Sequence, residues 1–520
     1  MASLDMNAEG GPKFVADPLA VPKIKCGAME DLDSYMAHPK HNTDLGFPGE
    51  LIDNWKEVAI AKIGELAENN RAFQVYLDSC VKCGACTDKC HYFLGTGDPK
   101  NMPVARQDLL RSVYRRYYTF AGKNFPWLVG ARDLTREVLD EWYNYYHQCS
   151  QCRRCSVFCP YGIDTAEISM AARDIMNTVG KGQKYCNEII AKAQDIGNNL
   201  GMNPKALRAT LEDLEEDLEE ETGLSIRIPL DEKGADVLLI TPSADFFAEP
   251  HIDGLLGYAK VFHEAGVSWT VSSYASEAAN FGMFIGSYEN MRTLSLRIRQ
   301  AAIDLGVKRI VFGECGHAWR VAYSFLNTLA GPFDFLDQDY PIPQHIMEFT
   351  HDMIQKGELN FDKSKNDHIR LTYHDSCNVA RGAGMGGYEG GQFDLPREVL
   401  KACCNNYFEM DRDTTHESTL CCGGGGGLLT DELMDLRVKG ASPRMTALQQ
   451  VTEDHGVTHM AAICAICKTQ FSKVMPKFGY EMDSILSVHQ LVGNALILTG
   501  QEIEEDTAPE GDGVATEVNS

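Results

Sequence analysis

The sequence predicts an α+β multidomain protein, a helical N-terminal domain built around two cysteine runs and then a pseudo-duplicated α/β part. Three observations carry this. Eight cysteines fall in two runs of identical spacing between residues 80 and 159. Beyond Gly234 the texture changes, and short apolar runs alternate with longer helical stretches. Within that second part, two segments repeat one pattern of turn, helix, glycine, strand and second turn. A chain of 520 residues is expected to form two or three domains, and an apolar share of 44% supplies cores of ordinary size.

In chain order, 1–65 is an N-terminal extension, rich in Pro, Asp and Lys, suited to contact a partner or the domain surface. The helical domain covers 66–185, and an acidic helical linker covers 186–233. Two α/β repeats follow over 234–350 and 351–498, and an acidic, disordered tail over 499–520. The net charge of −26 opposes binding to nucleic acid and to anionic lipid. Part of it is local, in the run 212–221, read as a solvated helix or linker, and in the tail. No apolar segment of signal-peptide type follows Met1. The longest apolar runs, 237–240 and 460–466, are far too short to span a bilayer, so no direct membrane span is expected.

Eighteen cysteines in such a chain point to reduced thiolates holding metal, not to disulfides. Cys80, Cys83, Cys86 and Cys90 form one C-x₂-C-x₂-C-x₃-C run. Cys149, Cys152, Cys155 and Cys159, followed by Pro160, form a second. This is ferredoxin spacing, in which the fourth cysteine of each run ligates the other cluster. One [4Fe–4S] cubane is therefore assigned to Cys80, Cys83, Cys86 and Cys159, and the other to Cys149, Cys152, Cys155 and Cys90. Two structural zinc sites are the competing reading, but zinc takes four ligands, usually as two C-x₂-C pairs. His91 stands after Cys90 where the pattern has proline. The aromatic, helix-forming segment 106–147 between the runs resembles the helical ferredoxin domain of multi-subunit oxidoreductases, with its aromatics in the core or a subunit interface.

In the α/β part, strands are expected at 237–240, 309–312, 370–373 and 459–463. Aligning the two repeats sets Cys421 and Cys422 opposite Asn280 and Phe281, and Cys464 and Cys467 opposite Glu314 and His317. With Cys377 at a strand end, the second repeat carries five cysteines, Cys377, Cys421, Cys422, Cys464 and Cys467, at strand ends and helix starts. Helix N-termini favour anionic ligands such as thiolate. The glycine run 423–427 lets backbone approach a bulky group closely. A vicinal disulfide and a flexible loop are the bland alternatives.

The pattern C…CCG…CxxC resembles the cysteine-rich CCG domain of heterodisulfide reductases and of the iron–sulfur subunits of glycolate and lactate oxidases. A two-[4Fe–4S] ferredoxin domain followed by CCG repeats is similar to the D-type catalytic subunits of the heterodisulfide reductase family over nearly the whole chain. The resemblance implies that Cys377, Cys421, Cys422, Cys464 and Cys467 hold a noncubane [4Fe–4S] cluster at which a disulfide is split. One intact CCG site after a degenerate repeat looks most like the K subunits of sulfite-reductase-linked DsrMKJOP membrane complexes. That implies a haem-b membrane partner (DsrM-like) linked to the quinone pool, and a DsrC-like sulfur carrier protein whose disulfide or trisulfide is reduced or reversibly formed in dissimilatory sulfur metabolism. It also implies a cytoplasmic chain attached to the inner face of the membrane through its partner. Two alternatives stand beside it. One is the electron-conduit subunit of a glycolate, lactate or glycerol-phosphate dehydrogenase complex, whose flavin lies elsewhere, since no G-x-G-x-x-G follows a strand here. The other is a heterodisulfide reductase for coenzyme thiols, which generally needs both CCG sites.

Cys315 and His317 lie at a strand-to-helix turn of the degenerate repeat and are candidate catalytic residues. His317 suits proton donation to a leaving thiolate, or is a relic packed in a cleft wall. Cys315 is read as a thiol near the substrate. His374 and Asp375 precede Cys377 and suit hydrogen bonding around a metal ligand more than proton delivery. Cys403 and Cys404, and the isolated Cys26 and Cys186, are expected to be ordinary core thiols.

Overall fold

The computed structural model describes residues 45–384 and 391–501, together with the backbone of two short strands, β1 (Ser3–Asp5) and β2 (Lys13–Val15), paired antiparallel. Cys26, most of the N-terminal extension and the tail beyond Gln501 lie outside the described residues.

The N-terminal domain is helical because its sequence supplies both stripes and caps. Pro103 opens the helix Pro103–Tyr118, where its missing N–H is no loss. The Thr135 hydroxyl accepts from Val138 N at the head of Arg136–His147, and the Asp164 carboxylate accepts from Ala166 N at the head of Thr165–Thr178. These helices, with Trp55–Asn69 and Arg71–Ser79, close on a core that includes Leu110, Trp142, Tyr143, Tyr146 and Ile175. The segment between the cysteine runs is thus core, and a minority of its aromatics stay exposed.

The second half holds two parallel sheets. The first has the order β4-β3-β5-β6, with β3 Val237–Ile240, β4 Trp269–Thr270, β5 Arg309–Phe312 and β6 Gln344–His345. The second has the order β7-β8-β9, with β7 Leu371–His374, β8 His459–Ala462 and β9 Ile485–Ser487. Parallel neighbours need helical crossovers, which cover both faces and leave the strands buried along their length. The four expected strands are present, with β7 set one residue later than expected and β8 ending one residue earlier.

The expected boundary at residue 65 moves N-terminally, since Ala59 and Ile63 of the helix Trp55–Asn69 are buried in the helical core, and two further expectations change. The acidic segment 186–233 is helical, but its helix Pro204–Thr222 is no free linker, because Leu207, Leu211, Leu214 and Leu218 are buried in the core beside β3. The acidic run is the outer face of a docked amphipathic helix. The second concerns the paired turns. Asn280 and Phe281 lie inside the helix Ala279–Ile285, whereas Cys421 and Cys422 lie in a loop that leads into the positive-φ glycines 423, 426 and 427. No helix among the described residues is long and apolar enough to cross a membrane.

One buried acid gives a test of this packing. Glu277 is enclosed, its Oε2 has no hydrogen-bond partner, and burial pushes its carboxyl up to about 8. The folded value lies above the unfolded one, so the folded state keeps a proton that the unfolded state releases. Stability is therefore greatest at low pH and falls through the window from about 4.5 to 8, by a few kcal/mol. Glu277→Gln is expected to flatten that slope and to melt above the wild type at pH 8. Equal slopes in the two proteins would refute the burial argument.

Candidate metal centres and their junction

The two ferredoxin runs share a backbone as well as a spacing. In each, the residue before the second cysteine has positive φ, Lys82 at 57° and Gln151 at 58°. So does the residue after it, Gly84 at 81° and Arg153 at 61°. Three of these four residues carry side chains, so the conformation costs roughly 1–3 kcal/mol at each, strain of the kind stored at functional sites. It curls three thiols inward. Cys86 is pushed up to about 11 by burial, with Cys159 and Cys80 as its sulfur neighbours. Burial also pushes Cys155 up, and its sulfur neighbours are Cys149 and Cys90. Cys80, Cys83, Cys86 and Cys159 line one cavity, together with Cys155. Cys83 is exposed and Cys90 and Cys152 are buried, so the pair of runs reaches from surface to interior.

The five cysteines of the second half converge there. All are buried, and their sulfurs contact one another in the sequence Cys377, Cys421, Cys422, Cys467, Cys464. Cys464 caps the helix Ala465–Val474, and the amides of Gly423 and Gly424 donate toward the Cys421 and Cys422 sulfurs at 3.4 and 3.5 Å. The glycine run closes against the second ferredoxin run. A Cβ on Gly426, at φ +73°, would lie 2.8 Å from the Cys149 carbonyl oxygen, and one on Gly425 would lie 3.0 Å from that of Ser150. Only glycine permits this approach.

The two cysteine sets therefore meet. The Cys152 and Cys421 side chains are in contact, and the ligand atoms of His91, Cys152 and Cys421 all lie within 4.8 Å of one another. His91 stands out in the sequence only as a missing proline. Its Nδ1 pairs with the Gly440 carbonyl at 2.9 Å and its Nε2 with Ser150 Oγ at 2.7 Å. Ser150 Oγ in turn sits 3.3 Å from Cys421 Sγ. A helix start after the first run is thus tied to the loop of the second half.

Of the catalytic candidates, Cys315 caps the helix Gly316–Ala330 as Cys464 caps its own. Counted from the helix starts, Cys315 stands where Cys464 stands. Aligning the repeats by sequence puts Glu314 there instead, because one extra residue separates β5 from its helix. A Cβ on Gly316 would lie 3.2 Å from Cys464 Sγ, so the two helix starts abut. His317 Nε2 pairs with Asn378 Nδ2 at 2.9 Å, and its ring also reaches Cys464. Its Nδ1 has no partner. Asn378, unmarked in the sequence, lies 3.5 Å from Cys377 Sγ and accepts from Arg320 at 3.2 Å. His374 makes no hydrogen bond through either nitrogen, packs edge-on against Phe471, and is held neutral by burial. Asp375 is bound by both Arg397 Nη atoms at 2.7 Å, so its role is structural. Cys403 and Cys404 pack together, 3.8 Å apart, in the core that includes β7. Cys186 lies under the glycine loop, where a Cβ on Gly427 would come within 2.8 Å of its sulfur.

The charges around these thiols fit a metal–sulfide group. Arg106, Arg173, Arg381 and Arg444 are fully buried. Arg106 donates to Cys90 Sγ at 3.3 Å, to Asn101 and to two carbonyls. The hydrogen bonds of Arg173 and Arg381 go to backbone carbonyls, Cys149 and Cys152 among them. Arg444 donates to carbonyls, the Met410 sulfur and the Thr419 hydroxyl. Among the described residues none of the four has a carboxylate in an ion pair. Buried cations need a counter-charge. Thiolate-ligated iron–sulfur clusters, which are anionic, supply it.

Comparison with known proteins agrees with this chemistry. A family model described as a 4Fe-4S dicluster domain matches residues 76–163. The chain is 44% identical, over 481 residues, to the Hdr-like menaquinol oxidoreductase iron-sulfur subunit of Archaeoglobus profundus, covering 86% of this chain and 85% of that one. It is 42% identical, over 480 residues, to iron-sulfur subunit 2 of the corresponding enzyme of Archaeoglobus fulgidus, with the same coverage of 86% and 85%. A more distant relative is the D-type subunit of the dihydromethanophenazine:CoB–CoM heterodisulfide reductase of Methanosarcina barkeri, 24% identical over 76% of this chain and 88% of that one. No solved structure matches.

Proposed function

Because the chain belongs to the family of Hdr-like menaquinol oxidoreductase iron–sulfur subunits, we propose that it is the disulfide-reducing subunit of a membrane-associated complex. In this reading electrons originate in the quinone pool and arrive through a haem-b (DsrM-like) partner at the inner face of the cytoplasmic membrane. They serve to reduce, or in reverse to form, a disulfide or trisulfide of a DsrC-like sulfur carrier, as in dissimilatory sulfur metabolism. The observation that carries the reading is the junction of Cys152 with the continuous sulfur chain Cys377–Cys421–Cys422–Cys467–Cys464. A conduit needs only the two ferredoxin-type clusters, and relatives similar over most of the chain are of the Hdr-like type, so the five converging cysteines are read as the site of the reaction.

Cys80, Cys83, Cys86 and Cys159 would hold one cubane, Cys149, Cys152, Cys155 and Cys90 the second, and the five-cysteine site a noncubane [4Fe–4S] cluster. When bound, such groups supply one-electron transfer and, at the five-cysteine site, iron that accepts sulfur. The chain's own residues do the rest. The glycine run brings the two centres together, and Arg106, Arg173, Arg381 and Arg444 balance their charge. Asn378 fixes Cys377 and His317 relative to each other. His317, with a free Nδ1, would hold a proton for a departing thiolate, while Cys315 at the abutting helix start and neutral His374 close the site on either side. Splitting one S–S bond takes two electrons and two protons, and yields two thiols. We read 234–350 and 351–498 as diverged copies of one CCG unit, the first of which has lost its ligands.

The test is an iron count with electron paramagnetic resonance on anaerobically purified protein, oxidised with and without a small carrier protein bearing two cysteines. About twelve irons per chain are expected, with a paramagnetic signal that appears only with the carrier and is lost in Cys422→Ala. About eight irons and no carrier-dependent signal would leave a conduit and end the disulfide reading.

A further inference from the structure

The ferredoxin-like domain carries an apolar prominence that its own fold does not cover. Over two short helices, Phe120–Asn124 and Pro126–Val129, Trp127 is 80% exposed, Phe120 78%, Leu128 66% and Phe125 49%. Single exposed apolar side chains are ordinary, but four large ones within nine residues form a patch that marks an interaction site. The prominence is built in advance. Thr119 caps its first helix, Arg115 Nη1 donates to the Val129 carbonyl at 3.2 Å, and Arg132 N donates to the Ser112 carbonyl at 3.0 Å. Gly122 packs so closely on the Arg115 carbonyl that no side chain fits there.

Its charge is opposite to that of the chain. Residues 115–132 contain Arg115, Arg116, Lys123 and Arg132 and no acid, within a protein of net charge −26. Arg116 and Arg132 pair with Asp133 and Glu141 at the base, and Lys82 pairs with Asp108. Arg115 and Lys123 are left without a carboxylate partner among the described residues, so the patch stays positive. At physiological salt, charge more than about 8 Å away is screened, so the acidic remainder of the molecule does not cancel it. Exposed Trp and Phe with Lys and Arg at their margin are the composition that settles at the headgroup level of an anionic bilayer.

We propose that residues 115–132 dock directly on the surface of an anionic membrane, with Phe120, Phe125, Trp127 and Leu128 entering the headgroup–acyl boundary and Arg115 and Lys123 meeting lipid phosphate. The inference revises the expectation that the membrane is reached only through a partner. It also orients the chain. Lys82 lines the same open groove as Arg115, Leu128 and Gly130, so docking brings the first cysteine run, with exposed Cys83, close to the bilayer. The inference rests on the reading that this subunit works at a membrane and is independent of the disulfide chemistry.

The test is flotation of the anaerobically purified, iron-loaded chain with phosphatidylcholine vesicles, with and without one-third phosphatidylglycerol. Binding to the anionic vesicles is expected, at least tenfold tighter than to the neutral ones and weakened by salt. The double variant Phe120→Ser/Trp127→Ser, with iron content unchanged, should bind about tenfold or more weakly. Should that variant fold poorly, quenching of tryptophan emission by brominated lipid decides the matter, strong in the wild type and reduced in Trp127→Phe. Failure to float, equal binding by a well-folded double variant, or equal quenching would overturn the proposal. So would flotation that requires a membrane protein in the vesicles, because the patch would then be a protein-docking surface. An unchanged iron count and carrier-dependent signal would leave the proposed function standing in any of those cases.

Discussion

Cys152→Ala is expected to stop electron flow from an external donor to the disulfide while sparing the five-cysteine site's own signal. Cys152 is the member of the second ferredoxin run whose side chain touches Cys421, so it stands at the sulfur contact between the two cysteine sets. Its loss should lower the iron count from about twelve to about eight, with the second cubane gone. Donor-linked turnover should fall by at least about a hundredfold, the upper end of what even loss of outer-shell support does to a metal site. The carrier-dependent signal should survive, because Cys377, Cys421, Cys422, Cys464 and Cys467 are all retained. Cys155→Ala serves as the control. It belongs to the same proposed cluster, with Cys149 and Cys90 as sulfur neighbours, and has no contact with Cys421 of the kind Cys152 makes. If both variants keep full donor-linked turnover, electrons do not cross this junction.

What could be read in advance followed from chemistry that is local in the chain. A cluster that takes three thiols from one turn forces the x₂ spacing, so both ferredoxin runs stand out unaided. Short, mainly apolar strands between helical stretches are equally local. The junction is not local. His91, Ser150 and Cys421 are separated by 59 and 271 residues, and only packing brings them together. The buried arginines were illegible for a different reason. An arginine in a sequence reads as surface until the anionic group it neutralises is in view. The acidic helix could have been placed, because Leu207, Leu211, Leu214 and Leu218 recur at helical spacing, and the glutamates between them masked the stripe. The misregister of Cys315 and Glu314 came from a single extra residue after β5, which aligned glycines cannot reveal.

That extra residue explains the second large effect expected, a loss of about 3–5 kcal/mol in Glu314→Ala. Displaced from the capping position, Glu314 turns into the interface between the sheets and is fully buried. Its Oε1 accepts from His489 N at 2.9 Å and His489 Nδ1 at 2.8 Å, and its Oε2 from Ser487 Oγ at 2.6 Å and Lys468 Nζ at 3.1 Å. Its carbonyl also accepts from Ala465 N at 2.8 Å. One residue at the end of β5 thereby holds the end of β9 and the helix that begins at Cys464 and carries Cys467. Burial opposes its ionisation, but Lys468, His489 and Ser487 outweigh burial and hold the carboxyl well below the usual carboxylate range. Alanine would strand the fully buried Lys468 ammonium, which is why the loss exceeds the worth of the pair itself. The thermal midpoint should drop by roughly 5–15 °C, and iron should leave the proposed five-cysteine centre first, since the released helix carries two of its cysteines. Adding Lys468→Met to Glu314→Ala should restore much of the loss, because an apolar pair needs no partner. The sign with pH is fixed. A depressed folded value stabilises above the unfolded pKa of about 4.5, so the gap between wild type and Glu314→Ala should be full at neutral pH and shrink on acidification. A gap independent of pH would mean that the lost contacts are packing alone and that the carboxylate is not the rivet.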